Sequence, residues 1–350
     1  MWIENKVFKE DLDYIINTQF IDWDKLNNKT VFVTGSTGLI GYSFVCALLY
    51  RNLLKHSGIK IIALVRNVDK ARAMYEGAIK TGLVIDFVQG SLENFCELTS
   101  QIDYIMHAAS PTASKYFVEN PVETIKTTVA GMNSVLELAR AKKVSGAVYL
   151  SSMEVYGAPL NDEVIKESQG TTVDTMSVRS CYPEVKRLCE ALCASYADEY
   201  GIPVNVLRLA QTFGPGVKAG DNRVFAEFAR CAMNGHDIIL QTEGTSRRCY
   251  LYVADAVTAI LSIMLSDAKG EAFNAANPKT YCSIVEMAEI VARGVASNAI
   301  NVTFSISEQG KRKFSPPHHL NLSVEKLTSM GWKETYELAT MYIRMIECMK

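Results

Sequence analysis

The chain has 350 residues, of which 48% are hydrophobic, so it can bury a substantial core and form a second, smaller lobe. Its formal net charge is -2 and no long run of like charges occurs, which disfavours nucleic acid and anionic membranes as partners. Residues 1–29 lack the apolar core of a signal peptide, and no apolar run approaches the length of a membrane span. Nine cysteines without a CxxC pair or zinc-ligand spacing indicate reduced thiols, so we expect a cytoplasmic protein with no metal site.

Short apolar segments with β-strand character alternate with helical segments through the first part of the chain. The predicted strands span residues 30–34, 59–65, 83–88, 102–107, 147–152 and 203–209. Such alternation is typical of a parallel, doubly wound sheet that is covered on both faces. We therefore predict a Rossmann-like α/β fold.

Helices are predicted between and after these strands from their apolar periodicity. Their ranges are 39–50, 121–141, 182–200, 224–234, 255–265 and 283–296, with a further strand at 238–241. The regular alternation loosens beyond residue 214, which indicates a smaller C-terminal α+β lobe for the substrate. The predicted domains are a helical extension at 1–28, a dinucleotide-binding domain at 29–212 with a returning segment near 245–265, and the lobe at 213–244 and 266–350.

A glycine motif follows the first predicted strand and opens the next helix. Gly35, Gly38 and Gly41 have the spacing GxxGxxG. In this context the glycines permit a tight turn and bring the backbone close to a pyrophosphate, whose charge meets N–H groups at the start of the helix. The motif therefore predicts dinucleotide binding. Its other assigned cofactor contacts are Thr37, Leu39 and Ile40.

The residue at the end of the second predicted strand bears on the choice of cofactor. An acidic residue there binds the ribose 2′-hydroxyl of NAD, whereas an arginine can meet the 2′-phosphate of NADP. This chain has Arg66 at that position. We predict NAD, with NADP as the alternative that Arg66 suggests; a merely solvated arginine is the third interpretation.

Tyr182 and Lys186 predict the chemistry. Their spacing places both side chains on one face of a predicted helix, about one turn apart. A nearby ammonium group favours the deprotonated form of a phenol. Ser152 ends the fifth predicted strand, at the sheet edge where ligands bind, and can share a substrate hydroxyl with Tyr182. The three residues predict hydride transfer at an alcohol carbon, with Tyr182 as the base.

These residues resemble the extended short-chain dehydrogenase/reductase family, in its branch of nucleotide-sugar epimerases, dehydratases and decarboxylases. The resemblance runs from about residue 29 to the C-terminus, and within the branch the chain is most similar to UDP-glucuronate decarboxylases. The supporting motifs are HAASPTAS at 107–114, SMEVYG at 152–157, CYPEVKR at 181–187, TFGPG at 212–216, RRCY at 247–250, YVAD at 252–255 and GW at 331–332.

The resemblance implies a redox-neutral reaction on a nucleotide-linked hexuronic acid, catalysed by a homodimer. Oxidation at C4 of the sugar places a ketone β to the carboxylate, so carbon dioxide can leave before the hydride returns. In this scheme Tyr182 is the base, Lys186 holds the nicotinamide ribose and tunes Tyr182, and Ser152 positions the sugar hydroxyl. Glu154 and Arg248 act near C5 and its carboxylate. Two alternatives stay open, because an arginine fork suits a diphosphate equally and Glu154 can be a buried, hydrogen-bonded residue.

Further contacts follow from the same resemblance. The cofactor contacts are Ser91, Leu92, Ala108, Ala109 and Ser110, in addition to the glycine motif, Arg66, Tyr182 and Lys186. The substrate contacts are Ser110, Gln211, Arg223, Arg248 and Arg312. Ser91 and Gln211 depart from the family pattern, which more often has Asp and Asn at these positions. Surface solvation is the alternative for Arg223 and Arg312.

Position 153 distinguishes sister reactions of the same branch. The 4,6-dehydratases carry an acidic pair after the serine or threonine, because expelling the C6 hydroxyl needs a general acid. Met153 cannot donate a proton, so dehydration is disfavoured. The alternatives that remain are a 4-epimerase, an NADPH-dependent keto-sugar reductase and a nucleotide-binding sensor without turnover. We interpret His318 and His319 as loop residues, because no carboxylates stand at ligand spacing beside them.

Overall fold

A seven-stranded parallel sheet is the main element of the computed structural model, which describes residues 2–93, 98–111, 114–170, 172–306 and 317–349. Across the sheet the strands are β3 (Asp86–Gln89), β2 (Lys60–Val65), β1 (Thr30–Thr34), β4 (Tyr104–His107), β5 (Gly146–Ser152), β7 (Val204–Leu209) and β11 (Ala272–Ala275). The predicted Rossmann-like α/β fold is confirmed.

Helices cover both faces of this sheet, because side chains of successive strand residues point to opposite sides. On β1, Val31 and Val33 join one hydrophobic cluster, and Phe32 joins the other. The helices of this part are α2 (Leu39–Lys55), α3 (Val68–Met74), α4 (Glu76–Lys80), α5 (Ser114–Glu119), α6 (Pro121–Lys142) and α7 (Cys181–Tyr200). The third strand begins at Asp86 rather than at residue 83, because its pairing with β2 starts where Asp86 meets Ile62.

A smaller sheet follows the main one. Its strands are β12 (Asn277–Ser283), β10 (Arg247–Tyr252), β14 (His319–Leu322) and β6 (Val164–Ile165), with β8 (Gln211–Phe213) paired to β10. Two further strands, β9 (Ile238–Leu240) and β13 (Val302–Phe304), pair with each other. The helices of this part are α8 (Val224–Asn234), α10 (Ile284–Ile290), α11 (Glu325–Thr328) and α12 (Leu338–Met349), whereas α9 (Val253–Met264) packs on α2, β5 and β7 of the main sheet. The helix predicted at 283–296 ends at Ile290 and continues as a π-helical turn, Val291–Val295.

The chain crosses between the two sheets more often than the predicted boundaries 213–244 and 266–350 imply. β11 lies within the range predicted for the lobe, yet it pairs with β7 at the edge of the main sheet. β10 lies within the predicted returning segment, yet it belongs to the smaller sheet. Strand pairing depends on where distant segments meet, which the local pattern does not contain.

The N-terminal extension packs into the core of the protein. Its helix α1 (Lys6–Asn17) is capped by Asn5, whose side chain accepts a hydrogen bond from the Phe8 N–H at 2.9 Å. Asp11 on this helix lies 2.8 Å from the guanidinium of Arg344 on α12 and accepts a hydrogen bond from the hydroxyl of Tyr252 at 2.7 Å. These contacts join the first helix, the last helix and β10.

The sheet topology positions the candidate site. From β1 the chain moves outward to β2 and β3, and it then crosses to β4 on the other side of β1. Ligands of doubly wound sheets bind at such a reversal, outside the carboxyl ends of the strands. Among the described helices, none has the length and apolar character needed to cross a membrane.

Candidate active site

The loop after β1 has the shape that a pyrophosphate needs. Gly35 has a φ of +75°, which favours glycine, and a Cβ there would lie 2.8 Å from backbone atoms of Ala108 and Ala109. A Cβ at Gly41 would overlap the carbonyl oxygen of Gly35, so α2 starts tightly against the loop. Gly38 caps α2 without a side-chain hydrogen bond. The N–H groups of the first turn are therefore available to an anionic ligand.

The loops after β1 and β4 are connected directly. The hydroxyl of Thr34 lies 2.7 Å from Nδ1 of His107 and accepts a hydrogen bond from the Ala109 N–H at 3.2 Å. Burial and the charge of Lys186 lower the pKa of His107 to about 3, so its ring is neutral. Ser110 Oγ is buried and has no hydrogen-bond partner among the described residues. A buried hydroxyl without a partner beside a glycine cradle fits a dinucleotide or its substrate.

The remaining predicted cofactor residues lie along the same edge of the sheet. Arg66 directly follows β2 and its side chain is exposed. Ser91 follows β3, and Leu92 packs against Gly131 of α6, where a Cβ would approach within 2.8 Å of its Cβ. We expect these positions to border the adenosine end of a dinucleotide, if the glycine loop holds its pyrophosphate as predicted.

Tyr182, Lys186 and Ser152 come together behind this loop. Tyr182 lies in the first turn of α7, and its side chain hydrogen-bonds that of Ser152 at the end of β5. The Lys186 ammonium nitrogen donates a hydrogen bond to the Leu150 carbonyl at 2.8 Å and lies 5.8 Å from the centroid of the Tyr182 ring. The arrangement places a phenol, a hydroxyl and an ammonium group at the carboxyl end of β5.

The pKa of Tyr182 differs from the expectation that Lys186 favours the phenolate. Burial raises this pKa above its ordinary value, and the negative charge of Glu154 raises it further. The hydrogen bond from Ser152 and the charge of Arg223 act in the opposite direction. The Lys186 ammonium group donates its hydrogen bond to the Leu150 carbonyl rather than to the Tyr182 hydroxyl. Burial also lowers the pKa of Lys186 to about 8.

Glu154 belongs to a group of side chains that includes two residues missed in the sequence. Oε2 of Glu154 lies 3.8 Å from the guanidinium of Arg179, which precedes Tyr182 by one helical turn. The same guanidinium lies 5.4 Å from the ring centroid of Phe117, and that ring stacks on Tyr182 at 4.8 Å. The positive charge of Arg179 therefore partly compensates the negative charge of Glu154 beside the predicted base. In the sequence, only the spacing of three residues between Arg179 and Tyr182 indicates that Arg179 lies near the predicted base.

Arg248 lies on β10, half-buried beside Gln211. One nitrogen of its guanidinium is 3.5 Å from Gln211 Oε1, and another is 2.9 Å from Nε2 of His318. Its Nε is buried and has no partner among the described residues. β8 continues from β7, whose Leu209 is the register partner of Ser152, so Gln211 lies near the end of β5.

The other two predicted substrate arginines differ in their surroundings. Arg223 forms an ion pair with Asp221 at 2.6 Å, and its charge acts on the pKa of Tyr182. It therefore faces the same site, although its charge is largely compensated. Arg312 lies outside the described residues. Within the described part of the chain, no His, Cys, Asp and Glu side chains form a group that could hold a metal ion.

Known structures share this fold over nearly the whole chain. Epimerase Mth375 from Methanothermobacter thermautotrophicus has a TM-score of 0.75 and 23% identity, with 95% of each chain covered. UDP-N-acetylglucosamine 4-epimerase from Methanobrevibacter ruminantium M1 has a TM-score of 0.77 and 20% identity, covering 91% of this chain and 97% of that chain. At these identities the likeness establishes the fold.

Curated proteins and a family model give closer matches. UDP-glucuronic acid decarboxylase 5 of Arabidopsis thaliana is 37% identical over 195 residues, which are 55% of this chain and 56% of that protein. UDP-glucuronic acid decarboxylase 2 of the same plant is 31% identical over 315 residues, or 88% of this chain and 65% of that protein. The chain thus spans less than two thirds of the length of these relatives. Because the model of the NAD dependent epimerase/dehydratase family matches residues 31–276, which include the glycine loop, Tyr182 and Arg248, the chain belongs to that family.

Proposed function

We propose that this protein is a redox-neutral decarboxylase of a nucleotide-linked hexuronic acid, with UDP-glucuronate as the substrate and a UDP-pentose of the UDP-xylose type as the product. The relatives named as UDP-glucuronic acid decarboxylases support the substrate class. A nicotinamide cofactor, when bound, would supply the acceptance and the return of a hydride at the alcohol carbon C4 of the sugar. The protein is then ready for another substrate without an external oxidant.

The glycine loop would hold the cofactor. The bend at Gly35 and the N–H groups at the start of α2 would meet the pyrophosphate, and Ser110 Oγ offers a hydroxyl inside the crevice. Arg66 and Ser91, which follow β2 and β3, would border the adenosine ribose. We propose NAD as the cofactor, with NADP as the outcome that contact from Arg66 would favour.

Tyr182 would remove the proton from the C4 hydroxyl. Ser152 hydrogen-bonds Tyr182 and can hold the sugar hydroxyl against it. Because burial and Glu154 raise the pKa of Tyr182, the free protein holds this proton near neutral pH. Arg223 already lowers the pKa of Tyr182. Positive charge on a bound ligand would lower it further, toward the working range of a base.

The surroundings of Arg248 are the observation that favours an acidic sugar as the substrate. Eight other arginines of the described residues pair with carboxylates: Arg140 with Glu137, Arg179 with Glu154, Arg187 with Glu184, Arg208 with Glu190, Arg223 with Asp221, Arg247 with Glu286, Arg293 with Glu289 and Arg344 with Asp11. The partners of Arg248 among the described residues, Gln211 and His318, carry no negative charge in this arrangement. A half-buried guanidinium with this environment favours an anionic ligand, and its planar fork matches a carboxylate.

Glu154 would act at C5. Its carboxylate lies near enough to Tyr182 to influence the pKa of the phenol. Glu154 would relay a proton from water to the adjacent carbon C5 after carbon dioxide has left, and it would end in the ionised form in which it began. The proton replaces the lost carboxylate, and the returning hydride restores the C4 alcohol.

Mass spectrometry of the reaction products tests the proposal. The purified protein is incubated with UDP-glucuronate, and we expect a product that has lost carbon dioxide without net consumption of NAD or NADPH. Tyr182→Phe serves as the inactive control. An isomer of unchanged mass would instead establish a 4-epimerase, and stoichiometric consumption of NADPH with a keto-sugar would establish a reductase.

We also propose a homodimer that forms through α6 and α7. Large apolar side chains on this side of the protein are exposed to solvent: Val118, Val122, Ile125 and Leu188. These side chains lie on the neighbouring helices α5, α6 and α7, and exposed apolar side chains on one side of a protein favour an interface there. A cytoplasmic location is proposed from the cysteines, because those that the structure describes are free thiols.

A further inference from the structure

The ring of His318 is in the neutral form when it contacts Arg248. Its Nε2 lies 2.9 Å from a guanidinium nitrogen of Arg248. A guanidinium has donors and no acceptor, so Nε2 must accept this hydrogen bond and the ring proton must be on Nδ1. His318 therefore fixes the direction of the guanidinium without adding a negative charge.

Strand pairing places His318 and His319 beside different arginines. β14 runs parallel to β10, with His319 in register with Arg247, and the Arg247 N–H donates to the His318 carbonyl at 2.9 Å. His319 lies 3.2 Å from Asp162, and that carboxylate also lies 3.6 Å from Arg247. Adjacent residues on a strand point to opposite faces, so His318 reaches Arg248 instead.

The two arginine–histidine pairs differ in charge compensation. Arg247 and His319 share Asp162, and Arg247 also pairs with Glu286 at 3.0 Å. Arg248 has two neutral acceptors among the described residues, His318 and the more distant Gln211. The charge of Arg247 is thus compensated by two carboxylates, whereas Arg248 is oriented with its charge retained.

We propose that His318 is the residue that makes the site selective for an acidic sugar, by holding Arg248 in place while leaving its positive charge for the ligand. This inference rests on the proposed function. A carboxylate in place of His318 would hold Arg248 equally well but would compensate its charge, and an apolar residue would release it. The expected effect lies in the ratio of affinities for an acidic and a neutral sugar, because both ligands share the same nucleotide.

Calorimetric titration with UDP-glucuronate and UDP-glucose measures this ratio. We expect the wild-type protein to bind UDP-glucuronate more tightly. His318→Leu should reduce this preference by roughly tenfold, the usual scale for a charge-assisted contact, with little change in the affinity for UDP-glucose. His318→Asn, whose amide oxygen can still accept a hydrogen bond, should retain most of the preference. His318→Glu should lose it.

His319→Leu is the matched control, because it removes the neighbouring histidine, which contacts Asp162 rather than Arg248. It should leave the affinity ratio unchanged, and thermal melting curves of all variants show whether they are folded. A wild-type preference that persists in His318→Leu or in His318→Glu would overturn the role of His318 alone. A wild-type protein that binds both ligands equally would overturn the proposed substrate class as well.

Discussion

The Glu154 carboxylate lies 3.8 Å from the guanidinium of Arg179, one helical turn before the proposed base Tyr182. Glu154 raises the pKa of Tyr182, so the charge of Arg179 offsets an effect that opposes catalysis. Arg179 also lies over the ring of Phe117, which stacks on Tyr182. The pair therefore adjusts both the charge and the packing around the phenol.

Arg179→Gln should move the pH profile of turnover toward alkaline pH. The substitution leaves the charge of Glu154 uncompensated, so the pKa of Tyr182 rises further and more alkaline conditions are needed to form the base. For a partly exposed pair we expect a shift of about 0.5 to 1 pH unit. The measurement is the rate of product formation as a function of pH at saturating substrate. Arg179→Lys keeps the charge and serves as the control; identical profiles for wild type and Arg179→Gln would contradict the prediction.

The sequence contained the motifs of the site but not the neighbours of its loop side chains. Gly35 and Tyr182 were predicted because a dinucleotide loop and a helix turn are local patterns. The contact of His318 with Arg248 is not predicted from the sequence, because the two residues are 70 positions apart. Spacing showed that Lys186 faces Tyr182, yet it did not show that the Leu150 carbonyl holds the ammonium group. Such contacts arise only when separate elements pack together.

A largely buried ion pair behind the proposed catalytic residues, with side chains 14% and 11% exposed, should contribute strongly to stability. Arg208 on β7 contacts Glu190 on α7 at 2.7 Å, and Glu190 also accepts a hydrogen bond from Ser151. Arg208→Met leaves the Glu190 carboxylate buried without its counter-charge, so the free energy of unfolding should fall by about 3–5 kcal/mol. Urea unfolding monitored by circular dichroism measures the difference.

The control for this prediction is the same substitution in an exposed pair. Arg293 lies 3.5 Å from Glu289, and both side chains are largely exposed. Arg293→Met should therefore cost less than about 1 kcal/mol. An equal decrease in the free energy of unfolding in the two variants would show that the Arg208–Glu190 pair stabilises the protein no more than an exposed pair does.

The proposed homodimer should dissociate when charge is placed on the exposed apolar surface of α6 and α7. Leu188 on α7 is 48% exposed, and a glutamate there would be buried without a partner in a dimer. We expect Leu188→Glu to sediment as a monomer in analytical ultracentrifugation, at concentrations where the wild type is a dimer. Leu54 on α2 is also 48% exposed but lies on the other face of the main sheet, so Leu54→Glu should remain dimeric. A monomeric wild type, or a dimeric Leu188→Glu, would contradict the proposed interface.

Asp255 should make the protein less stable as the pH rises from about 4 to about 7. Its carboxyl group is fully buried and accepts hydrogen bonds from the N–H and the hydroxyl of Thr335 at 2.9 and 3.0 Å. Burial raises its pKa from 3.8 to about 7, so within this range the folded protein retains a proton that the unfolded chain has lost. The free energy of unfolding therefore decreases with pH, by up to about 4 kcal/mol from this group.

Asp255→Asn replaces the neutral acid by an amide that does not titrate, so the variant should lose this part of the pH dependence. Urea unfolding across the same pH range gives the slope for each protein. Asp13→Asn is the control: the pKa of Asp13 is lowered by its contacts with Lys9 and Tyr50, so this group titrates below the range in both the folded and the unfolded state. Its slope should equal that of the wild type. If Asp255→Asn also shows the wild-type slope, the buried carboxyl group is not the source of the pH dependence.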